Sequence, residues 1–312
     1  MTGVRDDHAD AVAQPGFVTC CRALGGLPVG VVRPRRKDQR LLASLADRGL
    51  PAFGTTVEVI TLPQRARMVP TPAIAEGVWR PLRTVNAVNA FVIRHPMATF
   101  LVDPGVCVDV VGRAVAELPW LLRVAVTPPR DVVDIRQALA LAGIDVADID
   151  FALPTHLHWD HVAGLLDLPG LPAYLHRLEH SWAMSGPVAP QGGVRSAVRD
   201  RPVTLYDLDG PPILTFPCSH DLFGDRSVVL VGLPGHTPGS IGILVQTSTG
   251  PTLLAGDAVW SRIQIDRLRQ KASYPGLLAD ADRDAAWATL HRLHAIRDRL
   301  AIVPSHDHDG QR

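Results

Sequence analysis

Residues 155–161 read Thr-His-Leu-His-Trp-Asp-His, which places His156, His158, Asp160 and His161 within six positions. Neutral imidazole and carboxylate are the ligands that zinc and similar borderline cations take. His156 and His158 are two apart and can point to one side of an extended segment. Asp160 and His161 follow and can serve a second cation beside the first. The flanks are apolar. Ile149–Pro154, broken only by Asp150, leads in, and Val162-Ala-Gly-Leu-Leu166 leads out. A polar loop with surface histidines would not need such flanks. The pattern predicts a tight strand-to-helix loop on which four side chains converge.

Three further segments carry ligand-grade residues. His236 sits in Pro-Gly-His-Thr-Pro-Gly-Ser (234–240), a turn-forming composition. Asp257 sits in Leu-Leu-Ala-Gly-Asp-Ala (253–258), and His306 in Ile-Val-Pro-Ser-His-Asp (302–307). Each follows an apolar run.

The H-x-H-x-D-H cluster, followed in order by His236, Asp257 and His306, resembles the signature of the metallo-β-lactamase fold superfamily. Thr99-Phe-Leu-Val-Asp103-Pro-Gly105 matches an earlier element of that family. The resemblance runs from about residue 56 to about 309. It implies a four-layer αββα sandwich with two divalent metal ions, zinc by expectation. By the same resemblance His156, His158 and His236 hold one ion, Asp160, His161 and His306 the other, and Asp257 bridges both. His308 competes with His306, but His306 follows Val303-Pro-Ser directly and matches the family position. Asp103 is expected to orient the metal loop by hydrogen bonding.

Two cations bridged by a carboxylate can share a hydroxide at about neutral pH, so no serine or cysteine nucleophile is needed. Asp160 is the candidate catalytic residue that hands a proton to the leaving group. Three features narrow the reaction to a carboxylic ester or lactone. β-Lactamases of this fold generally lack an aspartate at the bridging position. Glyoxalase II-like thioesterases carry a further helical domain beyond the last histidine. Asp221–Val228 before His236, and His156–Trp182, are similar to the N-acyl homoserine lactonase branch. One departure stands out: many such lactonases have a tyrosine three residues after the bridging aspartate, and here that residue is Trp260. It either walls an acyl pocket or packs in the core. The alternatives are a thioesterase or amidohydrolase of the same fold, an iron-dependent oxidoreductase, or a non-catalytic metal-binding protein. Iron-linked relatives commonly alter this cluster, and the complete ligand set argues against both of the last two.

The whole chain sets further bounds. It has 312 residues, with 31 basic and 31 acidic side chains giving zero formal charge. Nothing steers a polyanion, so nucleic acid is not an expected partner. A small-molecule substrate is expected, and a homodimer is left open. Four cysteines, Cys20, Cys21, Cys107 and Cys218, show neither C-x-x-C spacing nor the density of a disulfide framework. No stretch reads as a membrane span, and the acidic run near residues 6–10 does not suit a secretory leader. A cytoplasmic protein is expected.

Residues 1–52 fall outside the family pattern and read as an N-terminal extension, partly disordered or packed on a partner subunit. Residues 53–312 read as the catalytic domain. Within the extension, Gln39–Leu50 reads as an amphipathic helix after the charged linker Arg33–Asp38. Strands are predicted at 56–61, 89–94, 99–102, 148–153, 171–175, 227–232, 241–246, 252–255 and 301–303. Helices are predicted at 131–142 and 281–300. His176, His180, His291 and His294 read as surface or core histidines, and His220 as a cleft candidate.

Overall fold

A computed structural model describes residues 17–126 and 132–307. Two sheets form its centre. The first has six strands in the order β1 (Glu58–Pro70), β2 (Arg83–His95), β3 (Ala98–Val102), β4 (Phe151–Ala152), β5 (Ala173–His176) and β6 (Val203–Tyr206). β1 to β3 are antiparallel, and β3 to β6 run parallel. The second sheet contains β7 (Ser219–Asp221), β8 (Val228–Gly232), β9 (Ile241–Thr247), β10 (Gly250–Leu254) and β11 (Ala301–Val303). Its strands lie in reverse chain order, and β10 and β11 are its parallel pair.

The period-2 alternation of the strands explains the layering. On β2, Phe91 and Ile93 join Phe100, Val102, Phe151 and Leu153 in a core that meets Val228, Leu230, Ile243 and Val245 of the second sheet. Their neighbours Ala90 and Val92 point outward to a core shared with Leu118, Leu122, Ile135 and Leu139. On β8, Val229 and Val231 point outward to Trp287, Leu290, Leu293 and Ile296. Both sheets are therefore apolar on both faces and covered by helices outside, which is the four-layer αββα sandwich. Each fully buried side chain of this size, Phe100 among them, contributes about 1.5–3 kcal/mol relative to exposure.

Several elements differ from expectation at their ends. β1 and β2 are each 13 residues long, far beyond the predicted 56–61 and 89–94, because they pair along their whole length with one irregularity at Pro63/Arg65. The long C-terminal helix starts at Arg283, capped by the Asp282 side chain, and ends at Ile296. The predicted helix 131–142 is Ile135–Leu141, capped by Asp134; Asp131 lies outside the described residues. Gln39–Leu50 is helical only to Ser44, where Leu45 turns extended. Leu42, Leu50 and Phe53 lie on the second-sheet core, and packing there outweighs continued helical periodicity. Helix Phe17–Val32 packs against helix Ser273–Ala279 of the same chain, with Ala23 fully buried. No helix among the described residues is long and apolar enough to cross a membrane.

Candidate metal centre

β4 delivers the chain into the loop 153–158, and His158 stands as the N-cap of the short helix Trp159–Val162. His158 thus lies on extended backbone and His156 in the bend just before it, while Asp160 and His161 lie on the first helical turn. The turn after β8 brings in His236, the segment after β10 brings in Asp257, and the segment after β11 brings in His306. All three strand ends open on the same edge of the sandwich as the loop. Gly256 has φ +50°, and a Cβ there would stand 2.6 Å from Thr155 Oγ1. Only glycine lets Asp257 approach the loop so closely.

The seven residues predicted as ligands converge. Ligand-grade atoms of His156, His158 and His236 lie within 4.8 Å of one another, as do those of His156, His161 and Asp257, and those of Asp160, His161 and His306. His158 Nδ1 is 2.9 Å from His236 Nε2. Asp257 spans the two groups: Oδ1 is 3.2 Å from His161 Nε2, and Oδ2 is 3.0 Å from His306 Nε2 and 3.3 Å from His236 Nε2. Asp160 Oδ2 lies 3.5 Å from His306 Nε2. His308 lies outside the described residues.

Buried polar atoms are normally paired. Among the described residues, His156 Nε2, His161 Nε2 and Asp257 Oδ1 are buried without a hydrogen-bond partner. They are the atoms that face one another across the centre, and this donor set fits a divalent cation. Four of the opposite ring nitrogens are engaged, whereas His158 Nε2 is buried without a hydrogen-bond partner. His156 Nδ1 faces Thr155 Oγ1 at 3.1 Å, His161 Nδ1 faces Asp103 at 2.9 Å, His236 Nδ1 faces Asp280 at 3.0 Å, and His306 Nδ1 faces the Ala87 carbonyl. Each partner accepts the Nδ1 proton and turns the Nε2 lone pair inward. His158 differs, presenting Nδ1.

Asp103, buried at the end of β3 with φ +46°, accepts from Thr155 N (2.7 Å), Thr155 Oγ1 (2.9 Å) and Ser305 Oγ (3.1 Å) besides facing His161. It ties the loop to the His306 segment, as expected from sequence. Glu179 was not singled out by sequence, yet it joins the loop to the His236 turn. It accepts from Leu157 N at 2.8 Å, Thr237 Oγ1 at 2.6 Å and Gly239 N at 3.1 Å. Burial outweighs these bonds and pushes its carboxyl up to about 7. Lys271 and Asp280 were also missed. The Lys271 ammonium is buried and donates to Asp280 Oδ1 at 2.7 Å and to the Asp257 carbonyl at 3.0 Å. Burial opposes ionisation of Asp280, but Lys271 holds it down at about 2. No local pattern in residues 271–280 announces this pair; only the fold places it behind His236.

The imidazoles divide by surroundings. Burial, reinforced by the neighbouring rings, holds His156 and His158 well below the usual histidine range. Burial and then Lys271 lower His236. For His161 and His306 burial acts the same way, but Asp257 and Asp160, with Asp103 also on His161, overcome it and hold both above the ordinary value.

The centre lies on the floor of a cleft of about 370 Å³, a volume typical of small-molecule sites. His158, Asp160, Asp257, Trp260 and His306 line it at the bottom, and Leu118, Leu122, Tyr274 and Leu278 line its walls. Trp260 therefore faces the cleft and is not a core residue. Its Nε1–H donates to Asp257 Oδ2 at 2.6 Å, and the Lys271 ammonium stands 4.9 Å from its ring centre. His220 is not among the lining residues; it stacks on Tyr206 at 5.1 Å. His291 is a core histidine whose Nδ1 faces the Trp287 carbonyl at 2.7 Å.

Residues 83–306 match the family model of the metallo-beta-lactamase superfamily, which is most of the chain. The chain belongs to that superfamily. Within it, the chain is similar to the N-acyl homoserine lactonase AttM of Azorhizobium caulinodans, 28% identical over 228 residues that cover 70% of this chain and 81% of the relative. It is also similar to a gamma-lactamase of Fusarium pseudograminearum, 26% identical over 67% of this chain and 54% of that one. Among solved structures, a quorum-quenching N-acyl homoserine lactone lactonase superposes with a TM-score of 0.60 at 17% identity, covering 83% of this chain and 95% of that one. AidC, a dizinc quorum-quenching lactonase, does so with a TM-score of 0.58 at 16% identity, over 85% and 90%. These structures share the superfamily's fold with this chain.

Proposed function

We propose that this protein is a dinuclear, zinc-dependent hydrolase that opens acyl-substituted lactones, N-acyl homoserine lactones first among them, and cleaves related carboxylic esters. In this reading His156, His158 and His236 hold one ion, Asp160, His161 and His306 the other, and Asp257 contacts both. The observation that carries it is the set of buried, unpaired Nε2 and Oδ1 atoms facing each other at the floor of an apolar cleft. The AttM relatives, named as N-acyl homoserine lactonases, support the substrate class.

When bound, the ion pair supplies Lewis acidity and brings the pKa of water toward neutrality. The side chains do the rest. Asp160 borders the cleft with its carboxylate 17% exposed, so it can carry a proton to the leaving ring oxygen. Leu118, Leu122, Tyr274 and Leu278 receive the acyl chain and exclude water from the reacting end. Trp260 has its one donor committed to Asp257. It fixes that carboxylate and offers its ring face to the substrate, whereas a tyrosine hydroxyl would be available to a lactone carbonyl.

Purified protein loaded with zinc is to be assayed against an acyl homoserine lactone, an aryl ester, a glutathione thioester, a γ-lactam and a penicillin. The lactone should turn over fastest. Undetectable lactone turnover beside efficient thioester or lactam cleavage would overturn the lactone assignment and leave the thioesterase or amidohydrolase reading. The lactam arm is worth including because of the Fusarium relative.

A further inference from the structure

We propose that the N-terminal helix Phe17–Val32 sets the width of the substrate cleft by fixing helix Ser273–Ala279, so that acyl-chain selectivity depends on a segment outside the catalytic motifs. The proposal rests on the ester and lactone reading above. Tyr274, Pro275, Leu278 and Ala279 line the cleft, as do Leu122, Ala125 and Val126. The N-terminal helix packs on the back of that wall. Ser273 Oγ donates to the Ala23 carbonyl at 2.7 Å. A Cβ on Gly26 would stand 2.9 Å from Ser273 Oγ and 3.0 Å from its Cβ, so the two helices touch there with no slack.

The chain on either side of this contact is held as well. Beyond the N-terminal helix, Arg35 N donates to Glu76 Oε2 at 3.3 Å, and Gln270 Nε2 donates to the same oxygen at 3.1 Å. Ala272 N donates to the Ala73 carbonyl at 3.1 Å. On the far side, Arg283 donates to the Lys271 and Ala272 carbonyls at 2.7 and 3.0 Å. The cleft wall is thus clamped at its base, and the N-terminal helix bears on it from behind. Cys20, Tyr274, Leu277 and Val126 pack on one continuous core with Ala23, Leu122 and Leu278. Close-packed interiors pass on a displacement of this kind instead of absorbing it. Pushing Ser273 away from the N-terminal helix therefore moves Tyr274 and Leu278 into the cleft.

Gly26 lies inside a helix, so alanine or valine there changes side-chain volume at a position remote from every proposed ligand. The full-length zinc-loaded protein and its Gly26→Ala and Gly26→Val variants are to be compared on butanoyl and decanoyl homoserine lactones. The expected result is a KM for the decanoyl substrate raised roughly 10-fold in Gly26→Val. The butanoyl KM, kcat and zinc content should stay within about 2-fold, and Gly26→Ala should show a smaller shift of the same kind. The pair Gly26→Ala/Ser273→Gly moves the Cβ from one helix to the other and should restore the wild-type ratio. It also keeps the test open if valine prevents folding. An unchanged ratio of decanoyl to butanoyl KM in the single variants overturns the proposal. If the wild type turns over no lactone or ester, the functional reading fails separately, and decanoate binding by calorimetry decides instead. Equal decanoate affinity for wild type and Gly26→Ala then overturns the proposal, and weaker binding to the variant upholds it.

Discussion

The two halves of the centre are built on opposite electrostatics. In the three-histidine half, His156, His158 and His236, the imidazoles are driven toward neutrality by burial, and the outer supports are Thr155, Glu179 and the Lys271–Asp280 pair. In the Asp160 half, with His161 and His306, the imidazoles are drawn toward protonation by carboxylates, and Asp160 borders the cleft. A group that is already neutral can take a cation without losing a proton, whereas the other side exchanges protons for metal. The three-histidine half is therefore expected to keep its ion at lower pH. The Asp160 half is expected to be the more labile one and to carry the proton transfer.

The largest effect should come from breaking one half at a time. His158→Ala should abolish turnover and leave one zinc or none per chain. His306→Ala should leave one, and elemental analysis after dialysis reads the zinc content of each. Two ions retained by His306→Ala would remove His306 from the ligand set. Next, Asp160→Asn should lower kcat by about 10²–10⁴-fold and weaken the Asp160 half, while the far-UV spectrum and the first zinc equivalent stay as in the wild type. Near-normal kcat would end the proton-transfer role assigned to Asp160.

The three-histidine half can be tested through its buried ion pair. Lys271→Met strands the Asp280 carboxylate, and breaking a buried pair this way costs about 3–5 kcal/mol. Zinc affinity of the three-histidine half should fall about 10–100-fold, read by chelator competition. Lys271→Met/Asp280→Asn should recover much of the stability. The pH dependence has a definite sign. The Asp280 carboxyl is held down at about 2 in the folded chain, below its ordinary 3.8. Its stabilising contribution is therefore fully present above about pH 4 and lost as pH falls toward 2. Chemical denaturation should show the wild type's advantage over Asp280→Asn, about 2–3 kcal/mol at neutral pH, shrinking across that window. A constant difference would mean the pair is not charged as described. The smallest effect is expected at the junction of the two halves. Trp260→Phe removes the donor to Asp257 Oδ2, a charge-assisted bond of about 1.5–3 kcal/mol, while keeping an aromatic wall. Zinc affinity should drop modestly, and the preference for long acyl chains should survive.

Much of the centre was legible from sequence because metal ligation imposes residue type and spacing together. His156, His158, Asp160 and His161 share one loop, and a loop of six residues leaves its side chains few places to go. Asp103 was legible because Thr99–Gly105, an apolar strand ending in Asp-x-Gly, resembles an element of the family. The strand alternation along Phe91–Ile93 and Val228–Val231 likewise reports which face is buried, since the pleat allows only two. Element ends were less legible. The extra length of β1 and β2 comes from pairing with each other, and the early stop of the helix at Ser44 comes from packing against a distant core. Neither has a local signal.

The chain by itself determined the candidate-ligand types, their order and the layered fold, because these follow from side-chain chemistry and from the periods of strand and helix. Only the tertiary structure decided which residues stand behind the ligands. Glu179, Lys271 and Asp280 are ordinary charged residues in sequence, and their roles exist because folding removes water from around them and leaves each a single partner. The same holds for Trp260, whose donor is turned to Asp257, and for the N-terminal helix, whose seat on Ser273 is a contact between residues some 250 positions apart.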